Sequence, residues 1–161
     1  MGAHHPIAMA SGVMEVATPV QLIEAAAFAG FDCCGLWFEP ENWTDATTRA
    51  VRCAMDFSGM RLLDIEVVWL ESGPADPNHA RLIEVGAALG AQNVLCVSSD
   101  PDMGAKEDKL AALMELGEAR DIRVNLELGL FTEVKTLEAA RVIVEGIGSP
   151  AGGVLVDSSH V

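Results

Sequence analysis

Residues 122–161 read "IRVNLELGLFTEVKTLEAARVIVEGIGSPAGGVLVDSSHV", and the fold turns on how this stretch is divided. It opens on an apolar, β-branched run that delivers Glu127, passes through a helix-forming segment from about Thr136 to Glu145, and closes on a second apolar run, Gly152 to Val156. That run delivers Asp157 and, three residues on, His160. Strand, helix, strand with a carboxylate at each strand's C-terminal end is the grammar of a βαβ unit on a parallel sheet.

The same grammar extends back to the N-terminus. A short apolar opener, Ile7 to Ala10, is followed by "ATPVQLIEAAAFAGFD", where Thr18 is placed as N-cap, Pro19 at the first helical position and Gly30 just past the end. "CCGLWF" reads as a buried strand. The next segment, "NWTDATTRAVRCAMDFSG", repeats the pattern with Thr44 or Asn42 as cap and Gly59 as stop, and "MRLLDIEVVWL" follows as a strand. A helix over about Pro77 to Leu89 precedes "NVLCVS", and another over about Lys106 to Arg120 leads into "IRVNLEL".

The count is six strands and five intervening helices, with no Asn-Gly hairpin turn between strands, so the crossovers are expected to be right-handed and the strands parallel. A doubly wound nucleotide-binding sheet would carry a Gly-rich phosphate turn after its first strand, and "ASGVMEVATP" has neither GxGxxG nor a GK[ST] ending. A (β/α)8 barrel has no such requirement and sets its polar chemistry at strand C-termini, where Glu127 and Asp157 fall. The fold expected is an α/β barrel, incomplete at about six βα units, with residues 1–161 as one partial-barrel domain.

Composition narrows the partners. Ten Lys and Arg stand against 24 Asp and Glu, a formal charge of −14. There is no basic run for phosphates to follow, which argues against nucleic acid. No run approaches the roughly 20 apolar residues of a membrane span, and the N-terminus lacks a signal-peptide pattern. Cys33, Cys34, Cys53 and Cys96 have no CxxC spacing and are expected to be buried free thiols, in keeping with a soluble, cytoplasmic protein.

Glu127 and Asp157 end consecutive strands, and neighbouring parallel strands lie roughly 4.8 Å apart, so both carboxylates can reach one cation. Oxygen ligands suit Mg²⁺ or Mn²⁺, and an imidazole such as His160 broadens the choice to Zn²⁺ or Co²⁺. Strand-end acids also serve as helix caps, and for either carboxylate alone that reading is the stronger. Two on successive strands beside a His favour a site.

These residues resemble a known family. "RDIRVNLELG" followed by a helix and "GGVLVDSSHV", together with "LIEAAAFAGFDCCGLW", "LLDIEVVWL" and "EVGAALGAQNVLCVSSDPD", is similar to the sugar phosphate isomerase/epimerase family of xylose-isomerase-like TIM barrels. The resemblance implies that Glu127 and Asp157 bind a divalent metal and that His160, in a D-x-x-H motif, lies near the substrate or a second metal. The family completes its site with a His from strand seven and a Glu from strand eight, and the sequence has neither strand, so the site is expected to be half-built.

The implied chemistry is removal of a proton next to a carbonyl of a small sugar or polyol, through a metal-stabilised enediolate, with Glu127 as the catalytic carboxylate. Dehydratases of the inosose or dehydroshikimate type share that step. DNA-repair endonucleases share the barrel but need more His ligands and a basic face. The alternative class is a catalytically incompetent fragment, a homo-oligomer associating through unpaired edges of strands one and six.

Lower-ranked candidates flank the same end. Asp64 and Glu66 share one face of "RLLDIEVVWL", and Glu66 could meet a substrate hydroxyl or belong to a structural polar layer. Trp37, Phe38 and Trp43 surround the end of strand two and Trp69 ends strand three. Trp37 is the one assigned to the substrate, although packing is the commoner use of such aromatics. The loop "SSDPDMGAKED" is read as a turn with capping acids, and His4, His5 and His79 receive no role.

Overall fold

A computed structural model describes residues 5–160, so His4 lies outside the described residues. Six strands form one sheet in the order β1 (Ala8–Met9), β2 (Cys33–Trp37), β3 (Arg61–Leu70), β4 (Asn93–Ser98), β5 (Arg123–Glu127) and β6 (Gly152–Leu155). Every neighbouring pair is parallel. The helices between them are α1 (Pro19–Ala29), α2 (Asp45–Ser58), α3 (Pro77–Leu89), α4 (Met103–Ala119) and α5 (Leu137–Ile147). Each helix packs on its sequence neighbour, α1 on α2 through α4 on α5. They therefore form one layer on one face of a sequentially ordered sheet, the arrangement of a barrel wall and not of a doubly wound sheet.

Local chemistry explains the helix limits. The Thr18 hydroxyl accepts from the Gln21 N–H while the Gln21 side chain accepts from the Thr18 N–H, a capping box with Pro19 at the first helical position. Thr44, not Asn42, caps α2, and Thr136 caps α5. α4 begins three residues before the expected Lys106, because the Asp102 carboxylate accepts from the Ala105 N–H and starts the helix there. α1, α2, α3 and α5 all end at a glycine in the left-handed region, where a Cβ would be strained.

The sheet divides its residues by face. Met9, Cys34, Leu36, Leu62, Ile65, Val94, Cys96, Val124 and Leu126 are buried with Ile23, Val51, Ile83, Leu110 and Ile143 in the core between sheet and helices. Alternation then turns Gly35, Asp64, Asn93, Asn125 and Gly153 to the inner face. There the Asn125 amide donates to Asn93 Oδ1 at 3.0 Å, and the Asn93 amide to the Leu63 carbonyl at 3.1 Å. A polar ladder thus lines the interior below the strand ends.

One expectation about side chains is corrected. Cys33, Cys34 and Cys96 are buried, but Cys53 is exposed. It lies two residues from Val51, the buried residue of α2, and a step of two turns a helical side chain about 200° to the opposite face.

Candidate metal centre

Glu127 is the last residue of β5 and is buried, 7% exposed. β6 ends at Leu155, so Asp157 stands in the turn that follows and not in the strand itself. Its carboxylate accepts from the Ser159 N–H and hydroxyl, both at 2.8 Å, which closes the backbone into a short 3-10 turn, Ser158–His160. The His160 N–H then donates to the Asp157 carbonyl at 3.0 Å. This turn brings the imidazole back over the strand ends. Ligand atoms of Glu127, Asp157 and His160 all lie within 4.8 Å of one another.

The electrostatics follow from this placement. Burial pushes the Glu127 carboxyl up, the His160 imidazole opposes the shift, and Asp157 and Glu66 add to it. Asp157, bonded by Ser159, is held below its usual value. Two oxygens and one imidazole nitrogen converging on a partly desolvated point fit a divalent cation, whose charge would relieve the Glu127–Asp157 repulsion.

Glu66 and Asp64 lie deeper on the inner face. The Ser11 hydroxyl, in the short turn after β1, donates to Glu66. Burial raises Glu66, partly offset by that bond, and pushes Asp64 up to about 6 with Glu66 adding repulsion. Glu66 is electrostatically coupled to Glu127, so it borders the same interior. Gly35 makes room for this pair: a Cβ there would sit 2.2 Å from Asp64 Oδ1.

Trp37 is half-exposed at the end of β2 and, with Ser11, lines a cavity of about 780 Å³ bounded also by Met14, Leu22, Leu36 and Trp43. None of Glu127, Asp157 or His160 lines this cavity, so Trp37 stands on the β1–β2 side, apart from the carboxylate cluster. Phe38 and Trp43 are buried against each other with ring centroids 5.3 Å apart, a packing pair. The acidic loop after β4 is structural: Asp100 is paired with Lys109 at 2.7 Å, and Asp102 caps α4.

Sequence reasoning missed two residues here. Ser11 opens the turn two residues after the end of β1, a position that could have marked it as a rim residue. Phe131 is brought by its loop to 5.2 Å, centroid to centroid, from the His160 ring and 6.0 Å from Trp69. No local pattern foretells those contacts.

This architecture is the xylose-isomerase-like TIM barrel fold, present as a partial barrel of six strands and five intervening helices. No family model matches the sequence, and no curated protein matches it significantly. Among solved structures, the chain is similar to the IolI protein, crystallised with a zinc atom, at a TM-score of 0.82 and 17% identity over 97% of this chain. It is similar to D-psicose 3-epimerase from Clostridium cellulolyticum, solved with D-tagatose, at 0.81 and 16% identity over 97% of this chain. It also matches a xylose isomerase-like TIM barrel/4-hydroxyphenylpyruvate dioxygenase fusion protein at 0.82 and 22% identity over 98% of this chain. The chain spans 64% of the length of the first two and 27% of the fusion protein.

Proposed function

We propose that this chain carries part of the site of a divalent-metal-dependent isomerase or epimerase acting on a small sugar or polyol. The observation that carries the reading is the convergence of Glu127, Asp157 and His160 at the C-terminal ends of β5 and β6, on a fold shared with a zinc-containing protein and a sugar epimerase. Glu127, Asp157 and the adjacent imidazole would hold Mn²⁺, Mg²⁺, Co²⁺ or Zn²⁺. Such a cation supplies Lewis acidity, which makes the C–H between a carbonyl and a neighbouring hydroxyl more acidic.

The chain's own residues do the rest. Glu127 accepts the proton from that carbon, and burial, which raises its proton affinity, suits it to the task. The electron pair of the broken C–H bond moves to the carbonyl oxygen. In this reading His160 donates to a substrate oxygen, and Glu66, bonded by Ser11, accepts from a hydroxyl of the substrate. Trp37 offers an indole face at the β2 rim. Returning the proton to the other face of the carbon calls for a second acid, which the family resemblance assigns to a strand beyond these six.

The test is solvent exchange. With Mn²⁺ and a free ketohexose in D₂O, the wild-type chain should wash deuterium into the carbon next to the carbonyl, and Glu127→Gln should not. Exchange that survives Glu127→Gln would remove Glu127 from the role of base.

A second reading, a self-associating partial barrel without turnover, is favoured by one observation. β1 pairs only with β2 and β6 only with β5, so each leaves one edge unpaired among the described residues.

A further inference from the structure

Trp69 and Phe131 are large apolar side chains left 39% and 55% exposed, Phe131 against His160 of the carboxylate–imidazole cluster and Trp69 against Phe131. Trp69 comes from the end of β3 and Phe131 from the loop between β5 and α5, yet their rings meet with centroids 6.0 Å apart at 49°. Both are held in place by specific contacts. The Trp69 indole N–H donates to Ser99 Oγ at 2.8 Å, which fixes the ring plane by its polar edge.

Phe131 is held by a loop that hydrogen-bonds to itself. Gly129 N–H donates to the Val134 carbonyl at 2.9 Å, and the Thr132 hydroxyl bridges the Gly129 and Val134 carbonyls, each at 2.9 Å. The Glu133 N–H, donating to the Ser98 carbonyl at 2.8 Å, pins the loop to the end of β4. The ring of Phe131 lies on the bare α-carbon of Gly129, where a Cβ would stand 2.8 Å from Cε1 and 3.1 Å from Cζ. Gly129 has no positive φ, so its lack of a side chain serves the ring and not the backbone. On its far side Phe131 meets the His160 ring edge-on at 5.2 Å and 66°.

We propose that Trp69 and Phe131 form the apolar wall of the substrate site, stacking against the C–H face of a sugar or polyol while its hydroxyls turn toward Glu127, Asp157 and His160. A sugar has such a two-sided surface, and aromatic faces flanked by hydrogen-bonding groups complement it. This specificity role rests on the sugar or polyol reading above.

The experiment titrates D-tagatose, D-fructose and myo-inositol into the full chain with the diamagnetic ion Mg²⁺, followed by saturation-transfer NMR of the sugar C–H protons. Circular dichroism serves as the fold control. Phe131→Leu and Trp69→Leu are expected to weaken binding about five- to tenfold, and Phe131→Tyr to retain it. Gly129→Ala keeps the ring but displaces it, and is expected to weaken binding to a similar degree. Phe131→Leu should also shift the His160 imidazole proton resonances, which lose the ring current of their neighbour. Sugar binding unchanged in Phe131→Leu, Trp69→Leu and Gly129→Ala would overturn the wall and leave the isomerase reading standing. A wild-type chain that binds Mg²⁺ through Glu127 but none of the three sugars would overturn the sugar reading, and the wall with it.

Discussion

Gly153 of β6 faces Asn125 of β5 so closely that a Cβ on the glycine would lie 2.1 Å from Asn125 Oδ1. The glycine leaves room for an amide that donates to Asn93 of β4, whose own amide donates to the Leu63 carbonyl of β3, so that three strands are linked across the inner face. Gly153→Ala is therefore expected to destabilise the chain by about 1–3 kcal/mol, measured by urea unfolding. Adding Asn125→Ala should recover part of that loss. Purely additive effects in the double mutant would mean the two residues do not oppose each other.

The alanine pair tests a feature that sequence reading could not reach, and the contrast shows what was legible. Thr18, Thr44, Thr136 and the helix-ending glycines act through bonds within a few residues, so their chemistry is written locally. The order of strands follows from the alternation itself. Glu127 and Asp157 were legible because a strand end is a position in the pattern. The contact of Phe131 with His160 joins residues brought together only by the folded loop and the 3-10 turn. The start of α4 moved because Asp102 competed successfully as a cap. Cys53 was misjudged by residue type, since its helical phase relative to Val51 places it outward.

Metal binding gives the second prediction. If Glu127, Asp157 and His160 hold the ion as proposed, three protein donors would leave its remaining coordination positions to water, so calorimetry with Mn²⁺ should show weak binding that disappears in Glu127→Gln and Asp157→Asn. Tight stoichiometric binding in Glu127→Gln would locate the ion elsewhere.

Asp64 predicts a pH dependence. Its carboxyl is raised from 3.8 to about 6 by burial and by Glu66, so the folded chain holds this proton more tightly than the unfolded chain does. Its contribution is therefore fully present below about pH 4 and is lost as pH rises through about 6. Asp64→Asn, which cannot ionise, should flatten that part of the stability profile and be more stable above pH 6 by about 2 kcal/mol, discounting for partial exposure. Denaturant midpoints from pH 4 to 8 check it, and parallel profiles for the two proteins would contradict it.

The thiols report on the helix layer. Cys34 is pushed up to about 12 by burial, then by Cys33 and Asp64, and Cys96 is enclosed with it in the core beneath the helices, while Cys33, also buried, faces the other side of the sheet. A disulfide reagent at pH 8 should modify one thiol rapidly, Cys53, and all four only in denaturant. Rapid modification of Cys34 or Cys96 would mean that the helix layer opens readily from the sheet. Cys53→Ser should abolish the fast phase.

The last prediction concerns the sheet edges. β6 offers Gly152–Leu155 without a charged residue, its side chains only half-buried, and Val156 beyond it is 52% exposed. β1 is only two residues long, with Ile7 beside it 65% exposed. Unpaired edges with apolar, β-branched flanks template pairing with another chain, because each free N–H and carbonyl can close a further ladder bond. This 161-residue chain is expected to associate at micromolar concentration. Val154→Lys, which sets a charge within the edge strand, should shift the distribution toward monomer in sedimentation velocity. Val154 also packs against the core, so a denaturation profile must show that the variant still folds. Ile7→Lys makes the same test at the opposite edge without entering the core. A wild-type chain that sediments as a compact monomer and binds no apolar dye would show that both edges are protected, and the self-associating reading would fall.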